Sequence, residues 1–404
     1  MLTSLALIFL AGLAGASLCQ WIKLPRIVGM LIVGIALGPY VLDLLDPSIL
    51  AVSAELRKMA LIIILLKAGL SLDLSDLKNV GRPAIMMSFV PASFEILAFV
   101  LFAPGILGIT RVEAAVMGAV LGAVSPAVVV PRMVQLIENR YGTDKSIPQL
   151  ILAGASCDDI FVIVLFTTFV SMAQGGEIHA VDFINIPVSI LLGILLGAAA
   201  GFLLSLFFET AYERGHCVRN SVKVIVVLGT SFLLIAMENW LEEIIPVSGL
   251  LAVVSMTCVL KIRSTDFVAK RLSEKFGKLW LAAELILFVL VGAAVDIRYT
   301  LEAGVAAIGM IFLALAVRSL GVMLCVAGTP LNGKERLFCV IAYLPKATVQ
   351  AAIGSVPLSL GLSCGKIVLS VAVLAILITA PLGALGMDIS YQKLLARDEW
   401  ESFS

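Results

Sequence analysis

Apolar runs long enough to cross a lipid bilayer recur from one end of this chain to the other, and no other property restricts its fold so strongly. A helix rises about 1.5 Å per residue, so roughly 20 apolar residues span the hydrocarbon layer. Helices also satisfy their own backbone polar groups there. Thirteen such runs are predicted, near 2–19, 27–44, 59–72, 83–107, 112–131, 147–173, 186–208, 222–240, 246–260, 279–295, 301–327, 337–358 and 366–386. The fold class that follows is an all-α polytopic membrane protein with residues 1–404 in a single membrane domain. Composition agrees: 61% of residues are hydrophobic and 14% charged, against roughly 45–50% and 25% in soluble domains. The 28 basic and 28 acidic residues cancel and gather between the runs, which leaves no basic face for nucleic acid. Ions and membrane lipids are the expected partners. The seven cysteines show no C-x-x-C spacing and read as small packing residues rather than a disulfide or zinc framework. The first run lacks a basic segment before it and reads as a retained span.

With these spans, Lys and Arg fall overwhelmingly in the odd-numbered connections and the C-terminus. The other side holds only Arg57, Lys58, Arg111, Arg298 and Lys366. The positive-inside rule then predicts an external N-terminus and a cytoplasmic C-terminus, and a bacterial inner membrane is the expected location. The richest loop, Lys261 to Lys278, reads as an amphipathic cytoplasmic linker or a stop-transfer cluster.

An internal repeat underlies the thirteen runs. Ala68-Gly69-Leu70-Ser71-Leu72-Asp73 and Val291-Gly292-Ala293-Ala294-Val295-Asp296 match at an offset of 223 residues, and the same offset carries Glu95 onto Arg318. Leu24-Pro25 with Gly29 likewise resembles Ile245-Pro246 with Gly249. The repeat predicts two inverted six-helix halves, 1–173 and 222–388, joined by a linker helix and loops over 174–221 and followed by a short tail, 389–404. Inverted repeats of this kind place a substrate site at the midplane where interrupted helices meet. One interruption is predicted in each half, at Ser125-Pro126 and at Pro345 in Tyr343-Leu344-Pro345-Lys346-Ala347-Thr348. Proline removes a donor and clashes with the preceding turn, which frees backbone groups for an ion. Either proline alone is an ordinary kink, and the pair at corresponding positions points to a site.

Charges at the bilayer centre cost at least about 2.5–3.5 kcal/mol each, so each needs a partner or a purpose. Asp158 and Asp159 lie mid-way along the sixth run, Glu95 in the fourth, Arg318 in the eleventh and Lys346 at the second interruption. Neighbouring residues on a helix point about 100° apart, so the two aspartates cannot share a proton face to face. One is expected to face an ion cavity and the other to pair with Lys346. A carboxylate withdrawn from water favours its neutral form, so such a site holds either a proton or an alkali cation, and competition for it amounts to exchange. Hard oxygens suit Na⁺ or Li⁺, which makes Asp158 and Asp159 the expected ligands of the transported metal. Glu95 and Arg318 read as a structural ion pair linking the halves, because a guanidinium does not titrate. Lys67 and Glu284 read as snorkelling or locally paired, Asp73 and Asp296 as loop caps.

Other chemistries fit poorly. An aspartyl protease brings its two carboxylates together from different helices. An ion channel uses acidic rings around a continuous pore. Gly328-Thr329-Pro330-Leu331-Asn332-Gly333-Lys334 has the spacing of a phosphate loop, but Glu335 replaces the metal-binding hydroxyl. His179 and His216 fall on opposite predicted sides. No catalytic residues and no cofactor are expected beyond the transported ions.

Together Leu24-Pro25-Arg26-Ile27-Val28-Gly29, Gly38-Pro39, Gly122-Ala123-Val124-Ser125-Pro126-Ala127-Val128-Val129-Val130-Pro131, Gly154-Ala155-Ser156-Cys157-Asp158-Asp159-Ile160 and Leu344-Pro345-Lys346-Ala347-Thr348-Val349-Gln350-Ala351-Ala352 resemble the monovalent cation/proton antiporter superfamily, most closely its NHA branch of sodium/proton exchangers. The resemblance covers essentially the whole chain. It implies Na⁺ (or Li⁺) exchange for H⁺, with K⁺ as the main alternative, by an elevator motion within a homodimer. It also implies that Asp159 is the essential cation and proton carboxylate, that Asp158 pairs with Lys346, and that Ser125, Pro126, Pro345 and Thr348 sit where two broken helices cross.

Overall fold

The protein is described by a computed structural model covering residues 1–71, 81–175, 180–213, 219–241 and 247–397. Asp73, His179, His216 and Pro246 lie outside those residues, as does the end of the tail. All regular structure among the described residues is helical, apart from one isolated bridge between Tyr141 and Arg397. Among the described residues, eight stretches are long and apolar enough to cross a membrane: Leu2–Trp21, Arg82–Leu107, Arg111–Glu138, Leu191–Ala211, Asn220–Glu238, Val268–Ala293, Gly304–Cys325 and Gly365–Leu394. Arg26–Leu37 and Phe161–Gln174 are shorter apolar helices. The chain is a multi-pass integral membrane protein.

It divides into two compact units. One comprises Met1–Ala54, Asp73–Val162 and Phe288–Ser404. Here the Val90–Leu107 helix packs between Arg111–Gly122 and Ile297–Cys325, and Gly365–Leu394 runs beside both broken stretches. The other unit comprises Glu55–Leu72 and Ile163–Leu287. Its tightest contact joins Ala180–Glu213 to Gly249–Arg263. Gly193, Gly197 and Gly201, one turn apart, face the backbone carbonyls of Ser248, Ala252 and Met256, where a Cβ would collide. Between helices in lipid, such small residues permit the backbone approach that drives association.

Two stretches break at the prolines singled out in sequence. The Arg111–Gly122 helix stops where Ala123 turns extended at ψ 147°, and Pro126–Glu138 begins after Ser125. Pro126 opens the second piece, where its missing N–H costs nothing. Likewise Gly333–Ala342 stops before Tyr343, and Thr348–Gly354 starts after Ala347, whose φ of −162° and ψ of −80° is non-helical. Pro345 lies in the gap.

Some sequence expectations are corrected. Residues 261–278 form no separate linker: they finish the Gly249–Arg263 helix and open Asp266–Ala293. Since that helix begins well before residue 279, Glu284 lies deep within it and is buried, not at a span end. The phosphate-loop look-alike is a helix start. Asn332 accepts from the Glu335 amide and Glu335 accepts from the Asn332 amide, a capping box.

Candidate functional site

Both interruptions leave backbone groups without helical partners inside an apolar surround, where each unpaired group is costly. The first unit supplies partners from four directions. At the first gap, the Val124 amide donates to Asp158 Oδ2 at 2.8 Å. The Ser125 amide donates to the Pro345 carbonyl at 2.8 Å, which ties one gap directly to the other. The Ala123 carbonyl accepts from Gln350 Nε2 at 2.8 Å and from Lys346 Nζ at 3.2 Å. At the second gap, the Lys346 amide donates to Thr379 Oγ1 at 2.9 Å and the Ala347 amide to Gln350 Oε1 at 2.7 Å. The hydroxyls of Ser125 and Thr348 meet at 3.5 Å.

Arg318 organises the charges. Its Nε donates to the Tyr343 carbonyl at 2.9 Å, its Nη1 to Glu95 at 2.7 Å and to the Gly122 carbonyl, and its Nη2 to Asp158 Oδ2 at 3.1 Å. Lys346 Nζ adds a 2.6 Å contact to the same Glu95 oxygen. Glu95, Asp158, Arg318 and Lys346 are all buried to within 2% of full enclosure.

One expectation changes here. Lys346 was expected to pair with Asp158, but its ammonium is directed to Glu95 and Asp158 is held by Arg318. Glu95 and Arg318 are in contact, and the same guanidinium also bonds Asp158. The physical reason lies in donor geometry: a planar five-donor fork can satisfy two carboxylates and two carbonyls at once, whereas an ammonium is a compact point charge.

Asp159 stands differently. It is the next residue on the Ile147–Gln174 helix and is 9% exposed. It accepts no hydrogen bond from the described residues, and its Oδ1 is buried without a partner. Asp158 Oδ1 and the Tyr343 hydroxyl are buried and unpartnered as well. The cluster holds three carboxylates (Glu95, Asp158, Asp159) and two cationic side chains (Arg318, Lys346). With all ionised, it is one positive charge short. Its spare oxygens offer hard ligands for one monovalent cation, or one protonation site.

The pattern described as "Sodium/hydrogen exchanger, transmembrane" matches residues 5–388. The chain belongs to the sodium/hydrogen exchanger family. It is 33% identical over 421 residues to Sodium/hydrogen exchanger 9B2 of Homo sapiens, a match covering 99% of this chain and 76% of that protein. To Sodium/hydrogen exchanger 9B2 of Xenopus tropicalis it is 34% identical over 413 residues, covering 98% and 75%. The sodium proton antiporter MjNhaP1 from Methanocaldococcus jannaschii, solved at pH 8, superimposes with a TM-score of 0.80 at 22% identity, covering 96% of this chain and 97% of that one. The two share a fold.

In this exchanger, Gln350, Thr379 and Tyr343 complete the site without having been singled out in sequence. Gln350 has a local signal, since it stands three residues after the non-helical Ala347, at the position where a side chain reaches back to a helix start. Thr379 has none: its hydroxyl comes from a helix 33 residues away. Tyr343 meets Arg318 twice, through its carbonyl and through its ring, whose centroid lies 5.6 Å from the guanidinium carbon; the carbonyl contact is one no residue type could announce.

Proposed function

We propose that this exchanger moves Na⁺ or Li⁺ in one direction and H⁺ in the other, with Asp159 as the group that either ion neutralises and Asp158 as its fixed neighbour. The observation that carries this reading is a buried Asp159 whose Oδ1 has no partner among the described residues, beside a network one positive charge short where two helix gaps meet. A proton and a metal ion each supply the missing charge, and only one fits at a time. Apparent cation affinity then falls as the medium acidifies, by about tenfold per pH unit once protonation dominates.

The two inverted halves gain support from an arithmetic regularity. Glu95–Arg318, Ala123–Lys346 and Ser125–Thr348 are all in contact, and each pair is separated by 223 residues, the offset of the sequence repeat. Equivalent residues of two halves touch only near the axis relating them, so these contacts favour a pseudo-two-fold axis through the site. An elevator motion is supported by the division into two compact units, with every residue of the charge cluster in one of them. Thirteen spans, an external N-terminus, a bacterial inner membrane and a homodimer complete the proposal.

The decisive experiment is exchange in sealed proteoliposomes with Na⁺, Li⁺ or K⁺ under an imposed pH gradient, with membrane potential clamped or free. Asp159→Asn is expected to abolish exchange. Exchange at the native rate in that variant would overturn the site, and K⁺-driven exchange exceeding that with Na⁺ would reassign the ion.

A further inference from the structure

The second compact unit contains a basic cavity lined by none of the residues of the charge cluster. Lys67 from the Ser53–Ser71 helix, Lys261 from Gly249–Arg263, and Lys270, Ser273 and Glu274 from Asp266–Ala293 line an open cavity of about 520 Å³, with Leu70 on its apolar side. Among the described lining residues, three ammonium groups share the cavity with one carboxylate. Other cations nearby are committed: Lys275 donates to Ser221 at 3.0 Å and Arg263 to Ser205 at 3.1 Å. Lys67 and Lys270 make no hydrogen bond or ion pair with the described residues, although Lys67 is half-buried. A partly desolvated ammonium without a counter-charge is unfavourable, and three lysines drawn from separate helices converge on one space. A solvated charge cluster would instead point its lysines apart.

We propose that this cavity binds a phosphate group, and that the group belongs to an acidic phospholipid. Phosphate oxygens match ammonium donors and the Ser273 hydroxyl. The setting selects the lipid source, because the cavity opens in a membrane protein, at the helix ends bordering a basic segment, and has an apolar wall at Leu70 on which an acyl chain can lie.

The test uses the purified full-length protein in detergent, with thermal unfolding and native mass spectrometry as readouts. Added phosphatidylglycerol is expected to raise the unfolding midpoint more than phosphatidylcholine and to remain bound in the gas phase. Lys67→Gln and Lys270→Gln are each expected to weaken apparent lipid affinity about tenfold, the loss of one charge-assisted contact. Lys366→Gln, an exposed lysine elsewhere, should leave affinity unchanged. Should Lys67→Gln fold poorly, the exposed Lys270→Gln carries the test by itself. Equal binding of phosphatidylglycerol by the Lys270→Gln and unsubstituted proteins would overturn the site. An equal midpoint shift from inorganic phosphate alone would overturn the lipid source.

Discussion

The guanidinium of Arg318 lies 3.1 Å from Asp158 Oδ2, and the same side chain holds Glu95 at 2.7 Å. One fixed positive charge thereby joins a residue of the fourth predicted run to one of the sixth. Truncating one member of a buried ion pair costs about 3–5 kcal/mol, since the other charge stays behind. Arg318→Ala is therefore expected to lower the unfolding midpoint sharply and to stop exchange. Arg318→Lys keeps the charge but cannot reach four acceptors, so it should recover only part of the stability. A fully active, fully stable Arg318→Ala protein would show that the network is dispensable.

Gln350 bridges the two gaps, donating to the Ala123 carbonyl and accepting from the Ala347 amide. Gln350→Leu removes both bonds: the buried Ala347 amide is left unpaired, at about 1–3 kcal/mol, while the Ala123 carbonyl keeps only the 3.2 Å contact from Lys346 Nζ. The expected result is a protein of lower thermal stability whose exchange rate drops more than its apparent cation affinity. Thermal unfolding and initial-rate assays on one preparation distinguish the two effects.

Glu335 is buried at the start of the Gly333–Ala342 helix and paired with Lys145 at 3.0 Å. Lys145→Met strands that carboxylate and should destabilise by about 1–3 kcal/mol, between the values for exposed and enclosed pairs. Glu335→Gln keeps an oxygen for the Asn332 amide while removing the charge. The double variant Lys145→Met/Glu335→Gln should thus unfold at a higher temperature than Lys145→Met alone, and a lower midpoint would refute the pairing.

Gly154 sits one turn before Asp158, where an added Cβ would strike the Tyr343 hydroxyl and come within 2.8 Å of Met87 Cβ. Gly154→Ala should cost about 1–3 kcal/mol through overpacking and displace the helix that carries both aspartates. Thermal unfolding measures the first effect. A reduced exchange rate, with the protein still folded, measures the second.

Hydropathy was enough to read a helical membrane protein, because lipid offers no partner for an unpaired backbone and so leaves few structures open to an apolar run. Intramembrane Asp158, Asp159, Glu95, Arg318 and Lys346 were likewise conspicuous in sequence, since charge in lipid is too costly to be incidental. What no spacing could reveal was that Arg318 would also hold Asp158 and that Lys346 would turn to Glu95. Which carboxylate Arg318 takes and which one Lys346 takes depends on donor geometry and on carbonyls exposed at the two gaps, and these come into reach only when helices more than 150 residues apart in sequence pack together. Thr379 and the Tyr343 carbonyl belong to the site for the same reason: their contribution is position, and position is a property of the packed chain.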